Sequence, residues 1–338
     1  MEGVVVTGVL GTSFWGGKRV LVTGATGIVG SWLVGALLDS AAHVVALVRD
    51  DDPQSELFRS GRVLNLSIVS GCLEHEETVE RAVNEHEVDS VFHLGAQTIV
   101  STAQRSPAPT FESNIRGTWN VLEACRRLDG LVQRVVVASS DKAYGPQTSL
   151  PYTEDTPLAG VHPYEVSKSC ADLIAQSYHR AYGLPVGIAR CGNIYGGGDL
   201  NWSRIVPGTI RSLLNSSRPI IRSDGTCLRD YLFVDDAVSA YLTLGAALAD
   251  RSIHGHAFNF SAESPLTVME IYREICAVVG QDVTPSVLGT ASGEIQHQYL
   301  SSEKARSLLG WKPRFSLQEG LMATVAWYRE FFSAEGKT

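Results

Sequence analysis

One stretch constrains the fold more than any other. Val20-Leu21-Val22-Thr23 is a short apolar run, Gly24-Ala25-Thr26-Gly27 is a glycine turn, and Ile28-Val29-Gly30 opens a helical pattern. A run that is apolar through its length reads as a strand buried on both faces, as parallel sheets require. Gly24 permits the tight turn. Gly27 lets backbone N–H groups approach a pyrophosphate at the helix N-terminus, and Gly30 lets helix and strand pack closely. The strand–turn–helix context separates this pattern from a merely structural turn. It predicts a dinucleotide site with Gly24, Thr26, Gly27, Ile28, Val29 and Gly30 against the ligand.

The rest of the chain repeats the same alternation. Strands are predicted at Arg19–Thr23, His43–Val48, Leu66–Ser70, Ser90–Leu94, Arg134–Ser139, Pro185–Arg190 and Ala257–Phe260. Helical patterns fill the gaps at Gly27–Ser40, Glu77–Glu85, Pro109–Leu128 and Pro163–Tyr182. Alternating β and α elements predict an α/β fold with a doubly wound parallel sheet and right-handed crossovers. After Arg190 the texture changes, and Gly196-Gly197-Gly198 reads as a flexible loop. The expected organisation is a loose extension over 1–17 and a dinucleotide-binding domain over 18–190 plus about 235–260. A smaller, discontinuous C-terminal substrate domain takes 191–234 plus about 261–338, over the carboxyl edge of the sheet, where such folds bind ligands.

Composition excludes several classes. Hydrophobic residues make up 44% of the 338 and charged ones 19%, so the chain can bury a core and is not disordered. The net charge of -8, with no long Lys/Arg run, argues against nucleic acid as a partner. The six cysteines are far apart, with no C-x-x-C pair, and the histidines form no H-E-x-x-H. They predict reduced buried thiols and no metal site. The start, Met1-Glu2-Gly3-Val4-Val5-Val6, has no basic region and its apolar run is broken at Gly8 and Gly11. It reads as neither a signal peptide nor a membrane span, and a cytoplasmic location is expected.

Two further patterns carry chemistry. The second strand ends Leu47-Val48-Arg49-Asp50, and Asp50 lies 20 residues (50 − 30) beyond Gly30. A carboxylate there accepts adenosine ribose hydroxyls and favours NAD, whereas Arg49 would hold a 2′-phosphate and favour NADP. Tyr164 and Lys168 stand at i, i+4, on one face of a helix. An ammonium near a phenol stabilises phenolate, and such a tyrosine can remove a hydroxyl proton while hydride leaves the same carbon for nicotinamide. Ser140-Asp141-Lys142 follows a buried strand at its carboxyl end, the rim that faces ligands. Ser140 can bond a sugar hydroxyl and its developing oxyanion.

From Phe14 to Trp327 the chain resembles the extended short-chain dehydrogenases/reductases, the NAD-dependent epimerase/dehydratase family. The likeness rests on Phe14–Val20 leading into Thr23–Gly30 and Gly30-Ser31-Trp32-Leu33, on Ser139-Ser140-Asp141-Lys142, and on Arg190-Cys191-Gly192-Asn193 continuing to Gly198-Asp199. Arg204-Ile205-Val206-Pro207 and Lys304-Ala305 with Leu309-Gly310-Trp311 also fit. The order of these segments is most like that of the CDP-glucose 4,6-dehydratase branch. Ser140, in place of Thr, and Arg229–Val234 look more like the 4-epimerases, and Gly71-Cys72 replaces the Gly-Asp of many relatives.

The resemblance implies bound NAD and a nucleotide-diphosphate sugar as substrate. It implies cofactor contacts at Leu94, Gly95, Ala96 and Asn114, and substrate contacts at Gln97, Asn193, Arg204 and Arg229. It implies Ser140, Tyr164 and Lys168 as catalytic residues. A 4,6-dehydratase also needs an acid for the departing C6 hydroxyl and a base for the C5 proton, and Asp141 and Lys142 stand where the resemblance places them. Otherwise Asp141 and Lys142 form an ion pair, and the chain is a 4-epimerase or an idle nucleotide-binding regulator. Pairing of the helices Pro109–Leu128 and Pro163–Tyr182 across a two-fold axis implies a homodimer.

Overall fold

A computed structural model describes residues 14–290 and 295–335. Seven parallel strands form the main sheet: β1 (Arg19–Thr23), β2 (His43–Val48), β3 (Ser67–Ser70), β4 (Ser90–His93), β5 (Arg134–Ala138), β6 (Val186–Cys191) and β11 (Ala257–Phe260). Their order is β11-β6-β5-β4-β1-β2-β3. β1 pairs with β2 on one side and β4 on the other, so the winding reverses there and opens a crevice at the carboxyl ends. The sequence places every one of these strands to within about one residue.

Helices cover both faces. On one, Leu33, Val34 and Leu37 of the helix Ile28–Asp39 pack with Val238, Tyr241 and Leu244 of the helix Val234–Ala247 over Val20, Phe92 and Phe258. On the other, Val79 and Val83 of Glu76–Glu85, Val121 and Leu122 of Gly117–Arg127, and Ala175 of Pro163–Tyr182 pack over Leu21, Val91 and Val135. The remaining strands are short. β7 (Asn193–Tyr195) pairs with β10 (Tyr231–Phe233), and β8 (Ile220–Ile221) with β13 (Ser286–Val287). β9 (Leu228–Arg229) lies between β12 (Leu266–Thr267) and β14 (His297–Gln298). A separate core of Ile210, Tyr231, Phe233, Ile271 and Tyr328 holds this part together.

Three expectations need correction. The described end of the expected loose extension is packed: Trp15 is 2% exposed and its ring lies 5.3 Å from that of Phe92. Residues 1–13 lie outside the described residues. The glycine triplet is not a flexible loop. All three glycines are buried, and a Cβ on Gly197 would lie 2.4 Å from the Trp327 ring, so these glycines make room for close packing. The helix expected from Pro109 begins at Pro107 and contains a π-helical stretch, Glu112–Arg116, between Pro107–Phe111 and Gly117–Arg127. Such widened turns are common where a helix must aim a side chain, and Asn114 sits in this one.

His93 ends β4 under the crevice, fully enclosed. Its Nε2 lies 3.0 Å from Thr118 Oγ1, whose proton goes to the Asn114 carbonyl at 2.6 Å. Nε2 therefore carries the ring proton and donates. Nδ1 accepts from Thr23 Oγ1 at 2.8 Å, which itself accepts from Gly95 N. A second ring proton, on Nδ1, would turn away the Thr23 hydroxyl proton that Nδ1 accepts, and burial, with a smaller push from Lys168, lowers His93 to about 3. The unfolded chain protonates near pH 6.5 and the native one does not. Stability is therefore present above that pH and falls as pH drops from about 6.5 toward 3, by up to about 1.4 kcal/mol per pH unit. Urea midpoints at pH 7 and pH 5 should differ more in the wild type than in His93→Gln; equal slopes would contradict this.

Candidate active site

A cavity of about 1160 Å³ follows the crevice. At one end it is lined by Gly24, Thr26, Gly27, Ile28, Val29, Gly30, Arg49 and Asp50, and at the middle by Leu94, Gly95, Ala96, Ser140, Asp141, Lys142, Tyr164 and Lys168. Asn193, Arg204 and Arg229 line the far end. The fold thus gathers most of the residues expected to act, from segments as far apart as Gly24 and Arg229.

The glycine turn is shaped by close approach. Gly24 has φ +69°, and a Cβ on it would lie 2.7 Å from Gly95 N. A Cβ on Gly30 would lie 2.0 Å from Gly24 O. Both glycines are demanded by the protein's own backbone. Gly27 differs: its Cβ would meet only Gly24 O, at 3.3 Å, and its backbone is extended at φ -74°. Its bareness serves whatever lies in the cavity. The helix that follows has no side-chain cap and no acid in its first turn, so its N–H groups and dipole are left for an anion. These features fit a dinucleotide pyrophosphate.

Arg49 and Asp50 meet at the rim, Arg49 Nε donating to Asp50 Oδ2 at 2.6 Å. Each therefore answers the other. Asn114 and Gln97 are not on the cavity wall, contrary to expectation. Asn114 Oδ1 accepts from Gln97 N at 2.7 Å, and its Nδ2 donates to Gln97 O and to Ser167 Oγ, both at 2.9 Å. The Gln97 side chain is taken by Ile99 and Thr110. A polar side chain buried under the loop after β4 satisfies that loop before it can reach a ligand.

At the centre, Ser140 caps a short turn over Asp141–Tyr144. Its Oγ accepts from Lys142 N at 3.2 Å and donates to Asp141 Oδ1 at 3.0 Å. Lys142 Nζ lies 3.5 Å from Asp141 Oδ2, so the two are in the expected contact, and both line the cavity. Burial lowers the Lys142 pKa, Asp141 opposes that, and Arg229 adds to it. Pro163 and the His162–Glu165 capping box start the helix that carries Tyr164 and Lys168.

The expected depression of Tyr164 by Lys168 is not found. Burial pushes Tyr164 up to about 12, and the groups that oppose it are Arg204, first, and the Ser140 hydroxyl. Lys168 is tied instead to the Ala138 carbonyl at 2.8 Å, and burial lowers it to about 8 against the pull of Asp172. Arg204 also pairs with Asp199 at 3.0 Å. Arg229 Nη1 donates to the Leu228 and Gln296 carbonyls.

Two residues at the centre escaped sequence reasoning. Gln298, on β14, donates from Nε2 to Asp141 O at 2.8 Å and accepts from Lys142 Nζ through Oε1. Ser139 lines the cavity, and its Oγ makes no hydrogen bond among the described residues. No local pattern marks Gln298, which reaches Lys142 only through the fold. Among the described residues no cluster of three or more His, Cys, Asp or Glu could hold a metal, and no helix is long and apolar enough to cross a membrane.

Residues 20–260 match the model of the NAD dependent epimerase/dehydratase family. The CDP-glucose 4,6-dehydratase of Salmonella typhimurium is 31% identical, over 96% of this chain and 94% of its own. The dTDP-glucose 4,6-dehydratase DesIV of Streptomyces venezuelae, solved with NAD bound, superposes with a TM-score of 0.83 at 29% identity, over 93% of this chain and 97% of its own. The UDP-glucose 4-epimerase of Thermotoga maritima, solved with UDP-glucose, gives a TM-score of 0.84 at 27% identity, over 93% of this chain and all (100%) of its own. Glycine turn, Ser/Tyr/Lys centre and chain-long similarity together place the chain in the NAD-dependent epimerase/dehydratase family.

Proposed function

We propose that this protein is a nucleotide-sugar 4,6-dehydratase that uses NAD. The observation that carries the reading is the placing of Asp141 and Lys142 on the cavity wall beside Ser140 and Tyr164. An epimerase needs only the Ser/Tyr/Lys set, and two further ionisable groups there suit an elimination. NAD is favoured over NADP because Asp50 already occupies Arg49 at 2.6 Å, and a 2′-phosphate would have to displace that carboxylate.

The steps follow from the residues. Bound NAD would supply the hydride acceptor for C4 and the hydride donor for C6. Tyr164 takes the proton from the C4 hydroxyl, with Arg204 and Ser140 favouring its phenolate. Ser140 bonds the C4 oxygen as it becomes a carbonyl. That carbonyl acidifies C5–H, and neutral Lys142 removes the proton. Asp141 protonates the C6 oxygen, which leaves as water. The C5 position takes a proton back, so the sugar loses one water and becomes a 4-keto-6-deoxy sugar. Asn193, Arg204 and Arg229 face the diphosphate end.

The protein is proposed to work as a homodimer. Trp119, Leu173 and Tyr182 lie 41%, 53% and 62% exposed on the two helices expected to pair. Light scattering at micromolar concentration should give twice the chain mass; a stable monomer would contradict pairing.

Three substitutions test the chemistry. Gly27→Val should abolish NAD binding by calorimetry, because the new side chain enters the cavity. Tyr164→Phe should lower kcat on the order of 10²-fold or more, since C4 oxidation loses its proton acceptor. Asp141→Asn should oxidise C4 but stall before water leaves, so reduced-nicotinamide absorbance should accumulate in a single turnover. Unimpaired turnover by Asp141→Asn would favour the 4-epimerase reading, to which Ser140 and the 4-epimerase similarity also point.

A further inference from the structure

Gln298 belongs to the substrate part of the chain, yet it touches both ionisable residues that distinguish a dehydratase. It is fully buried and sits on β14, in register with Arg229 of β9. The segment after it is clamped: Tyr152 N donates to Tyr299 O and Ser301 N to Tyr152 O, each at 2.9 Å. The side chain has one satisfactory orientation. Its Nε2 faces the Asp141 carbonyl, which only accepts, so Oε1 must face Lys142 Nζ. Gln298 is not on the cavity wall and does not touch a ligand there.

We propose that Gln298 is a positioning residue for Lys142, holding its amine so that the lone pair of the neutral form points away from Asp141 and Gln298 and into the cavity. The inference rests on the dehydratase reading, in which Lys142 takes the C5 proton. The geometry is that of a tetrahedral nitrogen. Besides Cε, neutral Nζ has two hydrogens and one lone pair. Gln298 Oε1 and Asp141 Oδ2, the carboxyl oxygen that does not carry the proton given to C6, are both acceptors, and each takes a hydrogen. The remaining direction is the lone pair, which accepts the proton from C5 and so completes an ammonium. A donor at position 298 would consume that lone pair. A carboxylate there would hold Lys142 as ammonium and leave it without a lone pair.

The charged groups that act on Lys142 are Asp141 in its own turn, Arg229 on β9 and Glu165 on the facing helix. Gln298 adds an acceptor to this set without adding charge. The neutral amide therefore orients the amine while leaving its protonation to the other three.

The test uses the full chain with NAD and a nucleotide-sugar substrate in deuterated water. Gln298→Met keeps the volume but removes both the acceptor for Lys142 and the donor to the Asp141 carbonyl. C5 deuterium incorporation and kcat should fall roughly 10-fold to 10²-fold, as for a misaligned catalytic group. KM and the single-turnover rate of C4 oxidation should stay near wild type. Gln298→Glu provides the second readout: the rising limb of its kcat–pH profile should move to higher pH, because the added charge favours the ammonium. That shift is read from Gln298→Glu alone if Gln298→Met fails to fold. Wild-type deuterium incorporation in Gln298→Met, or an unmoved limb in Gln298→Glu, overturns the inference and leaves the dehydratase reading intact. A wild-type enzyme that places no deuterium at C5 overturns the dehydratase reading itself, and this inference with it.

Discussion

The approach of the first helix to the first strand governs the rest of the molecule. At Gly30 a single added carbon would lie 2.0 Å from the Gly24 carbonyl, and at Gly24 it would lie 2.7 Å from the Gly95 amide. Three backbone segments therefore meet with no side chain between them. That contact fixes the helix N-terminus against the carboxyl end of β1. It also sets the loop after β4, which closes the middle of the cavity. Asn114 and His93 support that loop and strand from below. The π-helical stretch that carries Asn114 lets one amide reach both Gln97 and Ser167. Fold and cavity wall are thus the same packing problem.

Burial then decides how the polar residues behave. The cavity centre holds Tyr164, Lys168, Lys142 and Asp141 in a small space at the rim of a dry sheet. Desolvation raises the tyrosine and lowers both lysines. A helical Tyr/Lys pair four residues apart would show mutual stabilisation if it were alone in water. Here Lys168 is committed to a backbone carbonyl, and the cation that opposes the burial of Tyr164 is Arg204, which comes from the other part of the chain. The cavity centre is therefore completed by groups from outside the main sheet. Gln298 and Arg204 both arrive in that way.

What the sequence made legible follows from which forces are local. The strands were readable because each is a short, continuous apolar run, and β1, β2 and β11 begin and end at the expected residues. The glycine turn and the Ser140-Asp141-Lys142 turn were readable as parts of the cavity wall because their residues are consecutive. Tertiary contacts stayed hidden. Gly196–Gly198 looks flexible on paper and is packed because Trp327 fills the space beside Gly197. Gln97 and Asn114 look like ligand contacts, but the Asn114 side chain is taken by the Gln97 backbone and Ser167, and the Gln97 side chain by Ile99 and Thr110. Gln298 has no signal in its own neighbourhood; 156 residues separate it from Lys142.

The central claim is that the cavity removes water from a nucleotide-linked hexose by way of a C4 ketone. Mass spectrometry tests it directly, with the purified full chain, NAD and a panel of nucleotide-diphosphate hexoses. The account predicts that one member of the panel becomes a product lighter by one water, without net consumption of NAD. A product of unchanged mass, differing only in configuration at C4, would contradict it and make the protein an epimerase.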